Sequence, residues 1–329
     1  MAVVTTGFFD GVHLGHRHVL ETVVSSARER GEEAVVVTFW PHPRTVLQQD
    51  ARDFRLLTTL EEKKALLLAA GADRVEVLPF TREFAALKAD EYLSLLRERF
   101  GATLVVMGYD NRIGNDRKTA GEICDSLAVA SRPLPSSGWA PPSYVAEGGH
   151  RPSNHISPQP ELLIVSELHR EAETPSCHSE RSEESHLSST SIRRALVEGR
   201  VEEANGMLGY RYGLYGVVVA GNRMGRTIGF PTANMQLYEP LKLVPANGVY
   251  AVDVEVLGRQ YRGMCNIGIR PTVGGKTRTI ETHILDFDED IYGLPLQLRF
   301  LRRIRDERRF PSLEALRLQL LLDREACRE

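Results

Sequence analysis

Cysteine is scarce. The 329 residues hold four, Cys124, Cys177, Cys265 and Cys327, far apart and without a CxxC pair. That spacing excludes a disulfide framework and a zinc knuckle, and the four read as reduced thiols. Positive charge is not in excess: 41 basic residues face 44 acidic ones, for a formal net charge of −3. A nucleic-acid partner is therefore not expected. No stretch approaches the roughly 20 apolar residues of a membrane span, and the first residues lack a basic region followed by a long apolar run. These absences predict a cytoplasmic protein with no membrane partner. No internal repeat is visible, and no Ser-His-Asp or Cys-His arrangement marks a protein nucleophile.

What is present is enough apolar material, 42% of the residues, for two domains with their own cores. Val3-Val4-Thr5-Thr6 is a β-rich run, and after a glycine-flanked loop Leu20, Val23, Val24 and Ala27 recur at helical spacing. AVVVTFW (34–40) reads as a strand buried on both faces, and Thr59-Leu60-Glu61-Glu62 as a capping box opening a helix through Ala70. RVEVL (74–78), a helix near 89–100 and TLVVMG (103–108) continue the alternation. Strands separated by helices predict an α/β domain with a Rossmann-like parallel sheet covered on both sides.

From about residue 131 to 186 the chain is rich in Pro, Ser and Gly and reads as an irregular or disordered insertion, with ELLIVSEL (161–168) a possible further strand. LSSTSIRRALVEGRVEEANGMLG resumes a helical pattern, and five short strand-like runs follow: LYGVVVAG, GVYAVDVEVLG, QYRGMCNIG, RTIETHILDF and LPLQLRFLRRI. They predict a small antiparallel β-barrel, and Ser312 opens a terminal helix carrying Leu313, Leu316, Leu320 and Leu321.

The loop GFFDGVHLGH (7–16) joins the first strand to the first helix. Glycines there let the backbone approach a ligand, and a helix N-terminus offers unpaired N–H groups and positive potential, a setting for phosphate. His13 and His16, three apart, share one face and can both donate to phosphate oxygens, while the bland reading makes one a cap and the other a surface residue. In GNRMGRTIGFPTANM (221–235), Gly221 and Gly225 permit a tight phosphate-covering turn. The Thr232 hydroxyl and Asn234 amide, two apart on an extended segment, can face one hard cation, or PTAN can be a simple turn.

GFFDGVHLGH resembles the HxGH signature of the nucleotidylyltransferase superfamily in the form typical of the bacterial bifunctional riboflavin kinase and FAD synthetase family. TFWPHPRTVL, LLTTLEEKKALL, LPFTREFAALKADEYL, VVMGYDNRIGNDR and LSSTSIRR extend that likeness, and GNRMGRTIGFPTANM, NIGIRPTVGG and ETHILDFDEDIYG resemble its riboflavin kinase signature. Two stretches depart from the family: Ile113 stands where a phenylalanine is usual, and the polar insertion separates GYDNRIG from SSTSIR.

The resemblance implies an FMN adenylyltransferase domain at 1–205 and a riboflavin kinase domain at 206–329. It implies His13 and His16 as catalytic groups of the first, with Gly7, Phe8, Asp10, Gly15, Asp110, Ser189, Thr190 and Arg193 on ATP. In the second it implies Glu281 as general base for the riboflavin 5'-hydroxyl, although a strand carboxylate is by itself an ordinary exposed residue. Gly221, Gly225, Arg226 and Thr232 would meet ATP, and Thr232 and Asn234 would hold Mg²⁺. Arg305, in RRIRDERRF, would touch the flavin, against the bland reading of a solvated basic face. ATP is the implied co-substrate, riboflavin, FMN and FAD the substrate and products, and a monomer or weak homo-oligomer the implied state. The open alternatives are a riboflavin kinase with a degenerate first domain and a non-catalytic flavin- or RNA-binding regulator, the latter without the basic, aromatic surface it needs.

Overall fold

The computed structural model describes residues 1–47, 54–108, 111–119, 122–123, 161–165, 187–221, 224–272 and 275–328. Apart from 161–165, the segment 131–186 read as an insertion lies outside the described residues, as do Cys124 and Cys177.

The chain divides into two compact units. One comprises Met1–Phe8, His18–Gln49 and Leu67–Arg170, the other Phe9–Arg17, Asp50–Leu66 and Glu171–Glu329. The residues of the HLGH loop thus belong to the same unit as the C-terminal half.

In the first unit, β1 (Ala2–Thr6), β2 (Glu33–Trp40), β3 (Arg74–Pro79), β4 (Ala102–Gly108) and β5 (Glu161–Val165) form a five-stranded sheet in the order β3-β2-β1-β4-β5. All its pairings are parallel. The strand that was only a possibility at 161–168 is β5. Helices α1 (Leu14–Arg30), α2 (Pro43–Leu47), α3 (Leu60–Ala69), α4 (Arg82–Ala85) and α5 (Ala89–Phe100) occur among these strands.

Because successive strand residues point to opposite faces, Val4, Val35, Val37 and Val105 bury with Tyr92, Leu93 and Leu96 of α5. Val3, Ala34, Leu104 and Val106 bury on the other face with Val23 and Ala27 of α1. This is why the strand runs are continuously apolar rather than alternating. Each such fully buried Val or Leu contributes about 1.5–3 kcal/mol.

In the second unit, α6 (Ser189–Val197) and α7 (Val201–Leu208) precede β6 (Gly213–Val219), α8 (Met224–Thr227), β7 (Ala233–Leu237), β8 (Gly248–Val256), β9 (Arg259–Thr272), β10 (Gly275–Ile284), β11 (Pro295–Arg305) and α9 (Leu313–Arg328). The strands close a barrel in the order β10-β7-β6-β11-β8-β9. The sequence pattern offers five of these six strands; the other is β7, the PTANM segment, too short and polar to show an alternation. Its core joins Val252, Val254, Ile267, Leu298 and Phe300 to Ile192, Leu196, Val201 and Leu208 of α6 and α7 and to Leu57. A second cluster sets Cys327 of α9 against Phe230, Val249, Ala251 and Met264. The fold class is the expected one: a parallel α/β sheet, an antiparallel barrel and a terminal helix.

Candidate active sites

The loop after β1 is tightly wound, with positive φ at Phe9 (47°), Gly11 (87°) and Val12 (38°). Such angles cost side-chain-bearing residues energy and persist only where surroundings hold them. Asp10 supplies the hold. Its carboxylate, almost wholly buried, accepts from the N–H groups of Leu57 and Thr58, both at 3.1 Å, and pairs with the Arg193 guanidinium. Arg193 also donates to Arg55 O at 2.9 Å and lies 5.0 Å from the Phe54 ring centroid. Ser189 donates to Asp10 O at 2.8 Å, Ser188 caps α6 by accepting from Ser191 N, and Thr190 stands exposed beside them. Tyr210 donates to Gly11 O at 2.7 Å.

On this loop the His13 and His16 rings stack at 3.7 Å between centroids, 18° from parallel. Burial pulls the His13 pKa down to about 4, with Asp10 opposing and Arg193 assisting. Burial, then His13, then Lys63 hold His16 well below its ordinary value. Both rings are therefore neutral near pH 7, and each offers one N–H donor and no charge. Both Nδ1 atoms are buried without a hydrogen-bond partner among the described residues, the condition of groups awaiting a polar ligand. Gly15 leaves room for the His13 ring: a Cβ there would stand 3.3 Å from it.

Cationic charge beside the imidazoles comes from Arg193 and from Lys63 on α3. Lys63 is 5% exposed, and burial lowers its pKa to about 8 against the pull of Asp10. Sequence reasoning missed Lys63. Its signal was the capping box, in which Thr59 N donates to Glu62 Oε2 at 2.8 Å and Glu62 N to Thr59 Oγ1 at 3.1 Å, placing the lysine within the first turn of the helix.

Other residues expected at ATP have different neighbours. The Gly7 N–H is spent on Val37 O at 3.1 Å. Phe8 joins an aromatic cluster with Phe39, His42 and Phe80, at centroid distances of 5.0, 5.2 and 5.6 Å. Asp110 lies outside the described residues.

In the barrel, β10 and β7 pair antiparallel with Glu281 directly opposite Asn234 and Thr282 opposite Ala233. Opposed residues share a face with Cβ atoms about 4.5–5.5 Å apart. Thr232, two residues before Asn234, precedes β7 on the chain. Half-buried Glu281 accepts from Thr279 Oγ1 at 3.3 Å. A Cβ on Gly221 would fall 2.1 Å from Asn234 Nδ2, and one on Gly225 2.1 Å from Phe230 O, so neither position has room for a side chain. His283 Nδ1 is 2.8 Å from Pro231 O, fixing the approach to Thr232. A cavity of about 280 Å³ lined by Arg226, Thr232, Thr282, Phe287 and Asp288–Tyr292 adjoins the segment.

Arg305 has its partners at the terminal helix. Its Nε and Nη2 grip the buried Asp323 of α9 at 2.7–3.1 Å, and Nη1 donates to Asp306 O. The guanidinium ties β11 to the terminal helix.

Comparison with known proteins shows the family. Residues 1–131 match the family model described as FAD synthetase and residues 208–329 the one described as riboflavin kinase. A curated protein of Escherichia coli strain K12, "Bifunctional riboflavin kinase/FMN adenylyltransferase", is 35% identical over 99% of this chain and 92% of its own length. A protein of the same description from Listeria monocytogenes is 33% identical over 99% of this chain and 91% of its own.

The chain belongs to the bifunctional riboflavin kinase/FMN adenylyltransferase family.

A crystal structure titled as a macrolide-efflux protein from Streptococcus pneumoniae also matches, with TM-score 0.80 and 31% identity, over 100% of this chain and 94% of that one. Among the described residues of this family member no helix is long and apolar enough to cross a membrane. Ser189, Thr190 and Arg193 fall outside both matched ranges. Tertiary structure brings Ser189 and Arg193 to Asp10.

Proposed function

We propose that the chain makes FAD in two ATP-dependent steps, riboflavin to FMN in the module 206–329 and FMN to FAD in the module 1–205. The register of β7 and β10, which sets Glu281 opposite Asn234, is the observation that carries the reading. In the first step Glu281 takes the proton of the riboflavin 5'-hydroxyl as that oxygen bonds the γ-phosphorus and ADP leaves.

Thr232 and Asn234 offer two neutral oxygens on one segment, and the described residues hold no group of three His, Cys, Asp or Glu side chains suited to a metal. That donor set fits a hard cation delivered with nucleotide phosphates rather than a resident metal. Mg²⁺ bound there would neutralise phosphate charge. Arg226, with the Gly221–Arg226 turn, closes over the phosphates, and the adjoining cavity receives the nucleotide.

In the second step an FMN phosphate oxygen attacks the ATP α-phosphorus and pyrophosphate leaves, so no protein nucleophile is required. The neutral rings of His13 and His16 donate hydrogen bonds to the phosphate oxygens, while Arg193 and Lys63 supply positive charge where it develops. Ser189 and Thr190 line the N-terminal turn of α6, Gly7 and Gly15 frame the loop, and Asp10 holds it in shape. The chemistry and composition fit a cytoplasmic enzyme of small molecules, monomeric or weakly self-associating.

The two steps are separable by chromatography of FMN and FAD. His16→Ala should abolish FAD formation from FMN and leave riboflavin phosphorylation intact; Glu281→Gln should do the reverse, losing about 10²–10⁴-fold in kcat. Parallel loss of both activities in either variant contradicts the assignment.

A further inference from the structure

The residues linking β7 to β8 reach the 54–62 segment. Leu56 N donates to Leu241 O, and Leu243 N to Leu56 O, both at 2.8 Å, as a parallel bridge between Leu56 and Lys242. The Lys242 side chain, 4% exposed, passes 4.8 Å from the centroid of the Tyr212 ring. Its ammonium ends 2.8 Å from Leu57 O and 2.5 Å from Glu62 Oε2. The peptide at Leu57 is thus gripped on both sides: Lys242 takes its carbonyl while its N–H goes to Asp10, which also pairs with Arg193 and anchors the histidine loop.

Burying an ammonium and a carboxylate together gains little net stability over apolar side chains of the same size. What such a pair does supply is a fixed position, because removing the Glu62 charge leaves the buried Lys242 ammonium without its ion-pair partner. From this geometry we infer that Lys242, a residue of the riboflavin kinase module, is a positioning residue for adenylyl transfer: with Glu62 it sets residues 57 and 58, and through Asp10 the attitude of His13, His16 and Arg193. Both steps then depend on the barrel, one for its own groups and the other for this buttress. The inference rests on the adenylyltransferase reading above.

The test measures both activities on the same samples of full-length protein, so that any loss of folded enzyme cancels in their ratio. In Lys242→Met the ratio of FAD-forming to FMN-forming kcat should fall ~10- to 100-fold, the scale of a displacement of about 1 Å at reacting groups, with the KM for ATP in the FAD step changing less than kcat. Glu62→Gln keeps the capping box, which accepts Gln, yet leaves Lys242 without its counter-charge. It should show the same selective loss, and the double variant should lose no more than the worse single one, as for residues acting as one unit.

Lys242→Arg, still a cationic donor, should retain more of the ratio than Lys242→Met. If Lys242→Met does not fold, Glu62→Gln decides by the same ratio. A ratio unchanged within about twofold, or equal loss of both activities, overturns the inference alone. A wild-type chain that forms FMN but no FAD overturns the inference together with the reading beneath it.

Discussion

His13 makes a statement about stability as well as chemistry. Its folded-state pKa of about 4 lies below the ordinary 6.5, so between those values the unfolded chain binds a proton that the folded chain does not. Stability is then complete above pH 6.5 and is lost as pH falls toward 4, by about 3 kcal/mol for this group. Denaturant unfolding across that range should show the loss, and His13→Gln should remove roughly that share of it; an unchanged pH slope in the variant would contradict the burial argument. At this scale the sequence singles out candidate residues and says little about their partners. GFFDGVHLGH announces two histidines. That Asp10 faces inward to Leu57, Thr58 and Arg193, and that Lys63 joins the site, depends on side-chain directions no motif encodes.

In the kinase step as proposed, the element of most consequence is β7. PTANM gives little periodic signal, yet its pairing with β10 and β6 is what sets Asn234 opposite Glu281. The glycine turn preceding it has no slack: Gly221→Ala would drive a methyl group into the Asn234 amide, 2.1 Å away. Overlap with a group on the structured strand must displace that amide, so riboflavin phosphorylation by Gly221→Ala should drop by ~10-fold or more with FAD formation from FMN preserved. Assaying the two steps separately checks this, and a kinase step at the wild-type rate would show that Asn234 can move freely. The long helices and apolar strands were easier to read, because α1 and α5 bury apolar residues recurring at helical spacing and β2 is a continuous apolar run buried on both faces.

For the molecule as a whole, the C-terminal helix is fastened to the barrel by an ion pair as well as by apolar packing. Asp323 is 1% exposed and receives Arg305 through two nitrogens, with Gln319 Nε2 at 2.7 Å. Asp323→Asn keeps the shape and removes the counter-charge, leaving a largely buried guanidinium facing a neutral amide. The variant should be destabilised on the order of 3 kcal/mol, read as an earlier denaturant midpoint. An unchanged midpoint would mean that water reaches Arg305 freely. The sequence shows Arg305 only as part of a basic run; its partner Asp323, 18 residues further along the chain, is seen in the structure.

Sequence alone determined the succession of a parallel α/β module and an antiparallel barrel, together with the motifs that carry two chemistries, because periodicity and short-range spacing are written along the chain. Only tertiary structure decided that the imidazoles are buried and neutral, that Arg193 closes on Asp10 across 183 positions, and that the Lys242 ammonium reaches Leu57 O and Glu62. Those facts depend on which surfaces exclude water from which charges, and that exclusion exists only once distant segments have packed.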